Sequence, residues 1–389
     1  MTLKRAAVYA ALFLFSVWGA AHAQDVTLKS PDGQVELNGT LLGFDGEFYR
    51  LDTVYGEMTV DGSGVRCEGP ACPNLQDFVA EISISGSATM GAVLMPALIE
   101  GFGLRNGFRT ERVPEEPARF TYQFFNETTN KLVAEFQFRV TNTDEGFADL
   151  LDNEADIVMA LREIRASERQ RARDAGMGDL TAPNRSRVLA LDAVVPIVSS
   201  GNPVPSISQP QLAAIFAGEI VNWSDLGGPN APIDLHLPSG QTGLGQAVED
   251  QVMKPAKLKF GPNIVRHVRG VDLALAVAAS PFAIGIASYA ETGNTQVLTL
   301  RGECGFALRA ARRTIKTEDY PLTAPMFLYL PARRLPKVAR EFLAYTRGQS
   351  AQIVIRRAGF VDQAAEEISI ANQGSRFANA ITTAGTEIS

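Results

Sequence analysis

Strand-like and helix-like segments alternate along residues 77–365, and few folds accommodate that order. VAEISISGS has the alternation of a strand and runs directly into ATMGAVLMPALIEGF, whose apolar residues recur at helical spacing. RFTYQFFNETT and KLVAEFQFRV read as further strands, GFADLLDNE as a helix, and ADIVMAL as a buried strand. ASERQRARDAGMGD is polar and charged and reads as a solvated helix, after which VLALDAVVPIVSS reads as an apolar strand pair. SQPQLAAIFAG and VDLALAVAAS are helical, PFAIGIASY is a strand, and LYLPARRLPKVAREFLAYTRGQSAQIVIRRAGF closes the series with two helices. Strands interleaved with helices predict an α/β fold around a largely parallel sheet.

Residues 24–66 follow a different rule. Short β-type runs are punctuated by PDG, NG, DG and YG, turn dipeptides at close intervals. They predict a small all-β domain over 24–76, similar in outline to an SH3-like or Sm-like barrel, with no catalytic constellation in it. Cys67 and Cys72 flank a Gly/Pro loop, CEGPAC. The spacing is not the Cys-x-x-Cys of a redox site, and His236 and His267 lie far from any cysteine pair, so neither a metal nor a cofactor is expected. Residues 1–23 combine Lys4 and Arg5, a short apolar run and an Ala-His-Ala exit, the pattern of a cleavable secretory signal peptide. In an exported chain a Cys67–Cys72 disulfide is expected, while Cys304, beside apolar residues, reads as a buried thiol. Residues 366–389 are polar and read as a linker or tail. A formal net charge of −7 makes nucleic acid and anionic membranes poor partners.

Two turns carry the chemistry. GSATM (86–90) and QTGLG (241–245) are small, Gly/Ser/Thr-rich, and each lies between a strand and a helix. Such turns leave backbone N–H groups unpaired at the positive end of the helix dipole, where an anion is favoured. Hydroxyls on Ser87 and Thr89 add possible donors. GSATMG has the outer spacing of a nucleotide phosphate loop, yet Ala92 and Val93 stand where Lys and Ser/Thr are required, which removes that reading. Neither turn reads Gly-x-Ser-x-Gly, so the nucleophile elbow is absent. His236 at a strand end has no partner set that would make it a catalytic base.

In chain order, these stretches resemble the periplasmic phosphate-type substrate-binding proteins of ABC transporters. ISGSATMGAVLMPALIEGF resembles the family's opening strand, turn and helix, and ADIVMALREI its Asp-strand-Arg segment. The most specific likeness is VVPIVSSGNPVPSISQPQLAAIFAGEIVNWSDLGGPNAPIDLHLPSGQTGLGQAVED, with YPLTAPMFLYLP and EFLAYTRGQSAQIVIRRAGFV closing the match. The resemblance implies a two-lobed (type II) periplasmic binding fold over 77–365, with lobe crossovers near 185–195 and 285–300 and ligand held in the cleft. It implies ligand contacts from Ser87, Ala88, Thr89, Met90, Arg162, Gln241, Thr242 and Gly243. It also implies a phosphate-like oxyanion as ligand, an ABC transporter membrane component as partner, a periplasmic location and no enzymatic activity.

The chain departs from the family pattern where charge matters. Pro238 and Gly245 stand where arginines are common, Leu244 replaces a hydroxyl, Ala160 and Leu161 replace two serines, and Ala88 replaces a third. Arg162 is the remaining candidate counter-charge, against a plain reading as one arginine in a charged stretch with Glu163 and Arg165. A rival function is therefore a non-transport envelope protein with an eroded site. QGSRFANAI resembles the lead-in to an outer-membrane-protein-A-like domain, which would bring peptidoglycan or outer-membrane components as partners.

Overall fold

A computed structural model describes residues 25–365, apart from 76, 117 and 303–305. The expected signal peptide, the polar tail and Cys304 lie outside the described residues. The chain divides into two compact units between Phe78 and Val79.

The first unit is a five-stranded antiparallel sheet. Along it lie Gly56–Asp61, Phe48–Thr53, Glu36–Phe44, Asp25–Lys29 and Arg66–Glu68, in that spatial order. Val26, Leu28, Leu41, Tyr49 and Leu51 form its core, and Cys67 and Cys72 are joined by a disulfide that packs against it. Asp45-Gly46 falls between strands and Tyr55-Gly56 leads into Gly56–Asp61, with both glycines at positive φ. Asn38-Gly39 does not turn: it lies inside Glu36–Phe44. A β-carbon on Gly39 would meet the Asp52 carbonyl of the neighbouring strand at 2.5 Å, so the glycine serves close strand approach.

The second unit is built on one eleven-stranded sheet that runs through both of its halves. The first half contributes Phe108–Glu116, Arg119–Asn126, Leu132–Thr141, Ala80–Ser87 and Ile157–Ala160. The second contributes Ala283–Ser288, Asp234–Pro238, Ile264–His267 and the short Gln296–Val297. Two long strands join them. Ser186–Val198 is a single strand rather than a pair: residues 186–193 pair with Thr323–Tyr329, and 194–198 with Ala283–Ser288. The second shared strand is Thr323–Tyr329, not a segment near 285–300. Ala283–Ser288 is flanked on both sides by second-half partners, and the chain returns to the first half only beyond Leu322.

Sequence chemistry explains several boundaries. Gln209–Ala217 opens on a reciprocal cap between Ser208 and Gln211 and closes at Gly218, whose φ of 80° suits glycine. The helices Lys337–Tyr345 and Gln349–Arg357 fold back onto the first half: Phe342 meets Phe102 edge-on at 5.6 Å, and Arg105 donates to Ser350. Ala166–Asp174 is helical as expected but is not merely solvated, because Glu168 and Ala172 are buried.

Candidate functional site: a cleft between two glycine-rich turns

Ala80–Ser87 lies between Leu132–Thr141 and Ile157–Ala160, parallel to both, so three strand C-termini open on one edge of the sheet. That edge of a parallel sheet is where ligands commonly bind. Gly86 sits at φ +123°, and a β-carbon there would run into the Met159 carbonyl. The positive φ and the tight fit both require glycine. Ser87 is completely buried, and its Oγ accepts a long 3.5 Å bond from the Met90 amide. Ala88 and Thr89 are half-buried, Met90 is buried, and the Thr89 side chain makes no capping bond to the helix that follows.

The second turn is anchored from below. The Ser239 amide donates to the His267 carbonyl at 2.7 Å, and Arg266 donates to the Pro238 carbonyl at 3.0 Å. The Thr242 hydroxyl donates to the Ser239 carbonyl and accepts from the Gly245 amide, so it is consumed in holding its own loop. His236 finds a partner in His267, Nδ1 to Nε2 at 2.9 Å across adjacent strands. Burial, and secondly His267, lower the His236 pKa.

The two turns meet. A β-carbon on Gly243 would lie 3.2 Å from Ser87 Oγ and 3.0 Å from Leu161 Cδ1, so a larger residue there would press on both side chains. Asn142 Nδ2 donates to the Gln241 carbonyl at 3.1 Å, and Arg165 pairs with Asp250 at 3.3 Å, tying the halves across the cleft. Ser87 and Gly243 are thus brought together, and Gln241 is reached through its backbone. Leu161, 4% exposed, fills the point of convergence.

Arg162 is held elsewhere. Its guanidinium donates to both Glu168 oxygens and to Asp144, with its side chain 15% exposed and that of Glu168 5%. Burial alone would lower its pKa, but the hydrogen bonds it donates to Glu168 and Asp144 outweigh that and raise it. Asp144 shows the converse: burial opposes ionisation, and Arg162 and Arg165 together hold its carboxyl below the usual range. The cation expected to face a ligand is therefore largely neutralised inside its own half. The sequence hides this because Asp144 and Glu168 come from two different helices.

Beside the turns lies a cavity of about 290 Å³, lined from both halves and by Pro325 of the shared strand. Gln246, Gln251 and Thr143 line it, and sequence reasoning passed over all three, as it did Asn142. Asn142 left a signal: it precedes Glu145 by three residues at a strand end and accepts from the Glu145 amide as a helix cap. Gln246 and Gln251 left none, since their alignment depends on a widened helical turn over Glu249–Met253.

Proteins of known character share this architecture. The phosphate-binding protein PstS of Staphylococcus haemolyticus (strain JCSC1435) is 26% identical over 222 residues, spanning 54% of this chain and 67% of its own length. A crystal structure of an ABC-type phosphate transport receptor from Vibrio cholerae superposes with a TM-score of 0.54 at 19% identity, covering 72% of this chain and 99% of that one. A phosphate-bound structure of a phosphate ABC transporter substrate-binding protein from Clostridium perfringens gives the same values. At this identity the two structures speak for the fold. Residues 120–348, well over half of the chain, match the family model described as a PBP superfamily domain, and the chain belongs to that superfamily.

Proposed function

We propose that this protein is an extracytoplasmic solute-binding protein that holds phosphate or a similar small oxyanion between its two halves, for ABC-type import or sensing. The carrying observation is the meeting of two glycine-rich turns from opposite halves, with Ser87 Oγ 3.2 Å from the β-position of Gly243. The backbone amides of Ala88, Thr89 and Gly243, with the Thr89 hydroxyl, are the proposed donors; those of Met90, Gln241 and Thr242 are spent on Ser87 Oγ, Ser239 Oγ and the Ser239 carbonyl. Neutral dipoles of this kind hold an anion without a facing cation. Arg162 braces the site from behind through Glu168 and Asp144. Entry of the anion requires the halves to part and Leu161 to swing aside.

The names of the relatives favour this reading, since they describe phosphate-binding proteins rather than enzymes. No helix among the described residues is long and apolar enough to cross a membrane. The signal-peptide pattern of residues 1–23 supports a periplasmic location. The alternative, an envelope protein bound to peptidoglycan or the outer membrane, draws no support from the similar proteins.

Titration calorimetry on ligand-stripped protein with phosphate, sulfate and other small oxyanions tests the proposal. One saturable site for at least one of them is expected; absence of heat with all of them overturns it.

A further inference from the structure

The cavity next to the turns is chemically unlike a phosphate pocket. Gln246 Oε1 and Gln251 Oε1 are buried with no hydrogen-bond partner, as is Arg162 Nε, and all three residues line it. Gln251 gives one amide hydrogen to the Thr323 carbonyl, and its oxygen is left without a partner. Thr143 Oγ1 accepts from the Leu161 amide, which leaves the hydroxyl hydrogen to give. Leu161, Ala247 and Pro325 supply apolar wall. The neighbouring cations are matched, Arg162 by Glu168 and Asp144, Arg165 by Asp144 and Asp250, and Lys254 by Asp250, while the acidic Glu163 also lines the cavity.

Two buried acceptors call for hydrogens. A phosphate ion carries one or two hydrogens near neutral pH, and its unprotonated oxygens repel carboxamide oxygens. A hydroxylated carbon chain offers several donors, accepts from Arg162 Nε and Thr143, and lays its C–H surface on Leu161 and Pro325. About 290 Å³ lies near the low end of the range for pockets that take small organic molecules, roughly 300–1,000 Å³. Gly243 borders both the cavity and the meeting point of the turns, so one ligand can reach both.

We infer that the ligand is a phosphate monoester of a small polyol, with its phosphoryl group at the glycine-rich turns and its hydroxylated part in the Gln246–Gln251 cavity. The inference rests on the anion-binding reading of the cleft. Calorimetry on the full-length protein with inorganic phosphate, methyl phosphate and glycerol 3-phosphate tests it. Glycerol 3-phosphate is expected to bind about tenfold more tightly than the other two, the yield of two or so neutral hydrogen bonds. Gln246→Met is expected to erase that margin while leaving phosphate affinity and melting temperature in place, because it replaces an unsatisfied group by an apolar one of similar shape. Equal binding of the three ligands, or a margin that survives Gln246→Met, overturns the inference and leaves the anion cleft standing. Binding of none overturns both.

Discussion

Leu161 and Arg162 are neighbours in sequence and do opposite things. Leu161 projects between the turns, in contact range of Gly243, while Arg162 points back into its own half against Glu168 and Asp144. Leu161→Ala is expected to cost about 2–4 kcal/mol of stability, as for other buried leucines. By clearing the turns it is also expected to tighten phosphate binding by about tenfold. Urea melts and calorimetry on the same preparation read both effects. Arg162→Ala is expected to cost about 3 kcal/mol, because the buried Glu168 carboxylate loses its partner, with little change in phosphate affinity. A large loss of affinity at undiminished stability would instead make Arg162 a ligand contact.

At the scale of elements, the strand Ser186–Val198 carries a buried carboxylate where its pairing passes from Thr323–Tyr329 to Ala283–Ser288. Asp192 accepts from Ser288 Oγ at 2.5 Å, and burial pushes its pKa up to about 6 despite that bond. Between about pH 4 and pH 6 the native chain therefore keeps a proton that the unfolded chain has released, so stability from this group falls as pH rises through that window. Above it the penalty is fully present. Asp192→Asn is expected to stabilise the protein by about 2–3 kcal/mol at pH 8, with the gain vanishing below pH 4, as denaturant midpoints at the two pH values would read. The alternation of elements was plain in the sequence because each strand or helix buries a face at its own period. The edge strand Phe108–Glu116 was not, since FRTERVPEE is mostly exposed and rich in charge, as unpaired sheet edges are. The two turns were legible from small residues between a strand and a helix. What fills the space between them was not, because Leu161 and the Gln246–Gln251 pair come from separate segments that only the shared sheet brings together.

For the molecule as a whole, the division after Phe78 predicts two unfolding transitions in calorimetry. Phosphate at about a hundred times its dissociation constant is expected to stabilise the second unit by about 2.7 kcal/mol. Reduction of Cys67–Cys72 is expected to weaken the first unit alone by about 2 kcal/mol, the chain-entropy value for so short a loop. A single transition that moves with both treatments would contradict the independence of the units. The Asn142–Gln241 and Arg165–Asp250 ties join the two halves directly and must break before the cleft can open. Opening of the halves is then a step that precedes capture of a solute. Stopped-flow traces should accordingly show an uptake rate that climbs with solute and then reaches a plateau, and Asn142→Ala should lift that ceiling.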